Sequence, residues 1–427
     1  MSKLMIRGGV PLCGETEIHG SKNSVLPILA ACCAVGAECR ISRCPRLTDV
    51  DAALCILRCL GCAARLVDDG SRREADADAV AEVDSTNAVR CDIPPALMRE
   101  MRSSIAFLGA MLTRCGRAVI SLPGGCELGA RPIDLHLSAL ARMGAEISDQ
   151  HGVITCSAPN GLHGAEIALS FPSVGATENI ITAAASARGT TVIENAACEP
   201  EIADLAAFLN ACGARITGAG SSTVVIDGVK ELHGCDFSVI PDRIETATYL
   251  ACCAAAGGSI KLKNTCPRHL AAVISVLEQM GCRVKAEGSE ISLAAPERLR
   301  SPGYVRTMPY PGFPTDAQAI MMAAACVADG TSVFIENIFD SRFKHAAQLC
   351  RMGACIRTEG RAAVIEPARQ LCGTEVCATD LRGGAALMAA ALAAEGVTVI
   401  DGMRHILRGY VSPERQLQRL GADASLV

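Results

Sequence analysis

Apolar and polar positions along the 427 residues follow one pattern six times over. Its first part is an Ala-rich helical run that closes on a glycine and leads into a β-branched strand. These runs are Val25–Gly36, Ala96–Gly116, Ala176–Gly189, Ile244–Gly257, Ala317–Gly330 and Gly384–Gly396, with each glycine expected as a left-handed helix cap. Strands are expected after them at Ala118–Leu122, Thr190–Glu194, Ser259–Leu262, Ser332–Glu336 and Val397–Asp401. The second part is an amphipathic helix whose last turn meets a glycine and then a small residue, at Gly61, Gly144, Gly213, Gly281, Gly353 and Gly421. Each second glycine follows the first by 23 to 28 residues, and successive second glycines are 83, 69, 68, 72 and 68 apart. Self-similarity this regular implies six units, each helix–strand–helix–strand, covering the whole chain.

Helices made of Ala, Cys, Val and Leu with little polar surface suit burial on every side. The expected class is therefore α/β of an inside-out kind, a two-lobed α/β barrel with helices buried and sheets outside. Six such units exceed one core, so three per lobe is the natural division, with the midpoint near Phe237–Asp242. The strand Leu4–Arg7 precedes the first helix and could pair with either lobe.

Composition narrows the chemistry. Half the residues are apolar and a fifth charged, and the formal net charge of −5 argues against a general nucleic-acid surface. Trp is absent, with four Tyr and eight Phe, so base-stacking platforms are not expected either. No apolar stretch of about 18 residues is found, so a membrane span is not expected. The start, Met1–Gly9, has no apolar run followed by a cleavage site, and the expectation is a soluble, cytoplasmic protein. Most of the 24 cysteines sit in Ala-rich runs such as Ala31–Cys33 and Ala251–Cys253, where they act as small hydrophobes. Cys59 and Cys62 make a C-x-x-C whose spacing the repeat already explains, so a metal or redox site is not inferred there.

Cys126 differs. It lies in Ser121-Leu-Pro-Gly-Gly-Cys126-Glu-Leu-Gly-Ala-Arg131-Pro-Ile-Asp134-Leu-His136, between a strand and a helix. A thiol beside a guanidinium at such a turn points to chemistry on an anionic substrate. Further candidates cluster at the heads of the Ala-rich helices: Lys22 and Asn23, Arg102, Ser173 to Gly175, Asp242 and Arg243, Thr315 and Asp316, Asp380 to Arg382. Helix heads carry unpaired N–H groups and a positive dipole end, which suits an anion site. Asp242 and Asp380 read more simply as helix caps, and Thr315 as a cap that leaves Asp316 to face a cleft. Lys22 and Arg408 can equally be read as solvated surface. His136 and His405 read as structural histidines. Serine-hydrolase, Walker, zincin and dinucleotide-binding signatures are all missing.

Together the Cys126 stretch, the sixfold repeat and the helix-head residues resemble the enolpyruvyl transferase family, on its UDP-N-acetylglucosamine 1-carboxyvinyltransferase side. The matching motifs are Gly20-Ser-Lys22-Asn23, Arg102, Pro123 to His136, Pro172 to Ala176, Pro241-Asp-Arg243, Pro314-Thr-Asp316 and Arg408-Gly-Tyr410. The sister 5-enolpyruvylshikimate-3-phosphate synthases share the fold but lack the cysteine-bearing loop. The resemblance implies an N-terminal lobe of residues 22–240 and a C-terminal lobe of 241–427 completed by 1–21, with substrates in the cleft between. It implies transfer of enolpyruvyl from phosphoenolpyruvate to the 3′-hydroxyl of UDP-N-acetylglucosamine, the first committed step of peptidoglycan synthesis, with no metal or organic cofactor. By the same carry-over Cys126 is the general acid and covalent thiol, and Asp316 the base. Lys22, Arg131 and Arg408 bind phosphate, with Arg102 and Arg382 nearby. Asn23 meets the sugar, and Arg131, Pro132, Ile133, Asp134 and Leu135 the uridine. Ser173, Val174 and Gly175 face the diphosphate, and Ile338 joins the substrate-binding set. Phe171 and Thr48 stand where some relatives carry lysine. The competing expectations are a shikimate-3-phosphate acceptor and a non-catalytic UDP-sugar-binding homologue; the oligomeric state is open.

Overall fold

The structure is a computed structural model that describes residues 2–68, 76–121 and 133–427. These form a mixed α/β chain that divides into two compact units at His19/Gly20 and Ile240/Pro241. Cys126, Arg131 and Pro132 lie outside the described residues.

In the unit of residues 20–240, the helices Lys22–Val35, Phe107–Cys115 and Val174–Ala184 pack on one another. In the other unit Arg243–Ala256, Thr315–Ala325 and Leu381–Ala393 do the same. Their small residues allow the close approach: a Cβ on Gly109 would sit 2.6 Å from the Asn179 carbonyl oxygen. Arg382 to Leu392 are buried without interruption, which explains why the sequence shows no polar face there.

Each unit carries three sheets among its described residues. Five of the six share one plan: a strand runs parallel to the strand after the Ala-rich helix, which pairs on its other side with two further antiparallel strands, a hairpin in four of the five. In the sixth, the parallel strand is reduced to an isolated bridge from Asp92 to Val119. Two of the partners come from far away in sequence. Asp236–Ser238 runs parallel to Glu38–Cys44, and Leu12–Glu17 runs parallel to Gly258–Lys263. Leu4–Arg7 lies antiparallel between Val397–Asp401 and Asp423–Leu426, supplying the last strand of the sixth repeat. Among the described residues no helix is long and apolar enough to cross a membrane.

All twelve repeat glycines have positive φ, the second set between 87° and 101°, where a side chain would be strained. Two expectations need correction. The run Ala96–Gly116 is not one helix: Met101 is extended at φ −139°, ψ 143°, splitting it into Pro95–Glu100, a 3-10 turn Arg102–Ala106 and Phe107–Cys115. And only Gly36, Gly116 and Gly257 directly follow a helix; Gly189, Gly330 and Gly396 sit several residues later, where the chain turns into the next strand.

Candidate active-site residues

In the unit of residues 20–240, Lys22 opens the first helix. It is buried, and its Nζ lies 2.7 Å from Asp49 Oδ2, so the solvated-surface reading of Lys22 does not hold. Asp49 was not singled out in the sequence; its only signal is an acid in the first turn of Thr48–Cys59. Asn23 follows Lys22 half-buried, and their helix packs against the turn that begins at Arg102.

Asp134 opens a helix capped by Ile133, with Leu135 and His136 in its first turn. His136 is buried, and its Nδ1 lies 2.8 Å from the Asn179 amide nitrogen. Asn179 also accepts from Gly109 N–H at 2.7 Å and donates to the Ile105 carbonyl at 3.0 Å. These two bonds fix the amide orientation, so the amide N–H donates to Nδ1 and the ring proton resides on Nε2. Burial, then the nearby Arg102 guanidinium, push the imidazole pKa down to about 4. His136 is therefore a neutral ring. It lies against Gly175, where a Cβ would come within 3.1 Å of Cε1. Ser173 caps Val174–Ala184, its Oγ accepting from Ala176 N–H at 3.4 Å. Arg102, Asn179 and the Ser173–Gly175 helix head are thus brought together around His136.

In the other unit Asp316 lies in the first turn of Thr315–Ala325. Its Oδ1 accepts from Arg342 Nη2 at 2.8 Å and its Oδ2 from Arg382 Nη2 at 3.1 Å. Both arginines are buried. Burial alone would lower the Arg382 pKa, but Asp316, Tyr410 and Asp242 more than offset that and raise it. Arg382 also donates to Tyr410 Oη at 3.4 Å, and that hydroxyl lies 2.7 Å from Thr248 Oγ1. Arg408, half-buried, stands two residues before Tyr410.

Here the expected cap is wrong. Pro314 is the N-cap, and the Thr315 hydroxyl donates to buried Glu336 at 2.9 Å. Glu336 also accepts from Thr307 Oγ1 at 2.9 Å, Ile338 N–H at 2.8 Å and Phe339 N–H at 3.1 Å. Oε1 takes three of these donors and Oε2 the Thr315 hydroxyl, so the carboxylate is held from both sides. It therefore ties the Asp316 helix head to the turn that holds Ile338 and leads to Arg342. Asp242 and Asp380 are caps as expected: Asp242 Oδ1 accepts from Ile244 and Glu245 N–H, and Asp380 Oδ1 from Arg382 and Gly383 N–H. Glu245 does not close the capping box, however; its carboxylate turns to the His19 amide and ring at 2.9 and 2.8 Å. Arg342 and Glu336 carry no sequence signal that would have separated them from surface residues, and Asn179, though inside a run expected to be buried, carries none that points to its partners.

A family model described as EPSP synthase (3-phosphoshikimate 1-carboxyvinyltransferase) matches residues 6–417. UDP-N-acetylglucosamine 1-carboxyvinyltransferase 2 of Caldanaerobacter subterraneus subsp. tengcongensis is 48% identical over 423 residues, 99% of each chain. UDP-N-acetylglucosamine 1-carboxyvinyltransferase 1 of Symbiobacterium thermophilum is 47% identical, over 100% of this chain and 95% of its own. The Saccharophagus degradans enzyme named UDP-N-acetylglucosamine 1-carboxyvinyltransferase is 45% identical over 99% of this chain and 98% of its own. Among solved structures, the enolpyruvyl transferase NikO from Streptomyces tendae has a TM-score of 0.87 at 27% identity, covering 100% of this chain and 99% of that one. An EPSP synthase from Acinetobacter baumannii, at 18% identity and a TM-score of 0.72 over the full length of both chains, shares the fold.

Proposed function

The chain belongs to the EPSP synthase (3-phosphoshikimate 1-carboxyvinyltransferase) family, and we propose that it is a UDP-N-acetylglucosamine 1-carboxyvinyltransferase. It moves the enolpyruvyl group of phosphoenolpyruvate to the 3′-hydroxyl of UDP-N-acetylglucosamine and releases phosphate, at the entry to peptidoglycan synthesis in the cytoplasm, and so serves cell-wall growth and division. The observation that carries this reading is 45–48% identity to enzymes of that name over essentially the whole chain. The architecture that goes with it is six helix–strand units, three per lobe, helices inside and sheets outside; the six sheets and the buried helix trios support it.

The chemistry is addition and then elimination. Carbon 3 of phosphoenolpyruvate gains a proton from Cys126 while the sugar oxygen attacks carbon 2 and its proton passes to Asp316. Loss of a carbon 3 proton and of phosphate restores the alkene. Each Asp316 oxygen accepts from one arginine, and the carboxylate so oriented is the base that takes the hydroxyl proton. Buried Arg342 and Arg382 hold that carboxylate in place. Lys22, Arg131 and Arg408 neutralise the phosphate, with Arg102 and Arg382 beside them. Asn23 contacts the sugar, Arg131 to Leu135 the uridine, Ser173 to Gly175 the diphosphate, and Ile338 packs on the substrate. The reaction needs no metal or organic cofactor.

Phosphate release from phosphoenolpyruvate is the test, with UDP-N-acetylglucosamine or shikimate 3-phosphate as acceptor. Release with the UDP-sugar alone, and an intact-mass adduct of fosfomycin on Cys126, are the expected results. Release only with shikimate 3-phosphate would move the assignment to the sister activity. Tight binding of the UDP-sugar without release would make the chain a binding protein.

A further inference from the structure

We propose that Cys212 and Cys235 form an oxidisable dithiol, which a hydroperoxide converts to a reversible disulfide. Their sulfurs lie 3.4 Å apart, Cys212 buried and Cys235 half-buried. The proximity is built into the backbone. Cys212 ends the helix Pro200–Ala211, its N–H donating to the Phe208 and Leu209 carbonyls, each at 3.0 Å, and its carbonyl accepting from His233 N–H at 2.9 Å. On the other side the Cys235 carbonyl accepts from Arg40 N–H at 3.0 Å. The approach of Cys235 to that strand depends on Gly234, where a Cβ would lie 1.8 Å from the Glu38 carbonyl oxygen, so glycine alone fits. Neither cysteine has backbone freedom to drift from the other.

Two more thiols complete the group. Cys39, on the strand that receives Cys235, faces Cys212, Cys32 and Cys235. Donors from Cys212, then Cys32, pull the Cys39 pKa below the ordinary thiol range against the cost of burial, while Cys212 is held protonated by Cys39 and by burial. Burial raises the pKa of Cys235, the member solvent reaches, and Cys39, the low-pKa sulfur in contact with it, takes its proton as it reacts. A half-buried thiol beside a buried resolving thiol is the arrangement that traps a sulfenic acid as a disulfide.

The step balances with a hydroperoxide as oxidant. The Cys235 sulfur attacks one peroxide oxygen, the O–O bond breaks, and with hydrogen peroxide water leaves as Cys235 becomes a sulfenic acid. The Cys212 sulfur then attacks the Cys235 sulfur, the S–O bond breaks, and the hydroxide departs with the Cys212 proton as a second water. Two thiols are oxidised by two electrons and one peroxide is reduced. Cys39 lies away from Lys22: Lys22 opens the helix whose far end leads to the strand of Cys39, and 14 helical residues span about 20 Å.

The test uses the full-length protein, reduced, desalted and titrated with hydrogen peroxide. Remaining thiols are blocked under denaturing conditions, and the chain is digested without reductant and mapped by mass spectrometry. The Cys212 and Cys235 peptides should be recovered as one cross-linked pair that dithiothreitol releases. Cys235→Ser should abolish the pair and leave Cys212 fully alkylated, with an unchanged thermal midpoint to show that the variant folds; Cys235→Ala replaces it if the serine unfolds the unit. Both cysteines alkylated after peroxide, Cys235 found only as sulfinic acid, or Cys212 linked instead to Cys39 would each overturn the proposal.

Discussion

Asn179 offers the sharpest perturbation, because three groups depend on one buried amide. In Asn179→Leu, the Gly109 N–H, the Ile105 carbonyl and the His136 ring lose partners at 2.7, 3.0 and 2.8 Å. A buried donor left unmade costs about 1–3 kcal/mol, and the Ile105 carbonyl keeps a second partner in Phe107 N–H, so the loss should come to about 4 kcal/mol. Urea unfolding followed in the transition of the 20–240 unit measures it. Asn179→Asp separates hydrogen bonding from charge. It keeps the acceptor for Gly109 but puts an oxygen where the amide donor stood, so His136 must turn from acceptor to donor. Its pKa should then climb from about 4 to about 6 or above, an opposite charge at contact favouring the imidazolium. Histidine NMR titration, with His136→Gln for assignment, reads that value. A His136 that still titrates near 4 in Asn179→Asp, with a cost below about 1 kcal/mol for Asn179→Leu, would refute both the tautomer and the network.

Three further outcomes are expected. Asp316→Asn should lower kcat about 100- to 10,000-fold, as loss of a general base does, and Arg342→Met, which frees the carboxylate to move and removes a donor from the Thr315 carbonyl, about 100-fold; steady-state phosphate release compares them, and an undiminished Asp316→Asn would remove Asp316 from the base role. Cys126→Ala should abolish turnover while Cys59→Ala leaves it intact, and equal losses would undo the separation of reactive from packing cysteines. Acid pulls the 20–240 unit two ways. The depressed His136 pKa makes stability fall as pH drops from 6.5 to about 4, while Asp204, raised to about 6 mainly by burial, stabilises at low pH and loses that contribution as pH climbs through 6. Each amounts to about 3 kcal/mol, so Asp204→Asn should gain on the wild type between pH 4 and 6, and parallel pH profiles of urea midpoints would contradict it.

The repeat could be read from the chain because its marks are local. A residue that takes positive φ where a helix ends or a strand begins strongly favours glycine wherever the rest of the molecule lies, and all twelve repeat glycines take it. Burial of the Ala-rich helices was legible for a similar reason, since a segment without polar residues has no face to offer water. Asp242 and Asp380 could be recognised as caps because a cap bonds N–H groups two and three residues on. Tertiary structure alone decided the rest. No local preference tells Leu4–Arg7 to lie beside Val397–Asp401, or Asp236–Ser238 to join Glu38–Cys44; segments of three or four residues pair with whatever edge the packed helices leave open. Nor could periodicity show that Lys22 is buried against Asp49, that Thr315 serves Glu336 and not its own helix, or that Arg342 grips Asp316. A charge declares its type in the sequence, but its partner is fixed by which helix heads the fold brings within about 3 Å, and that is a property of the packed core.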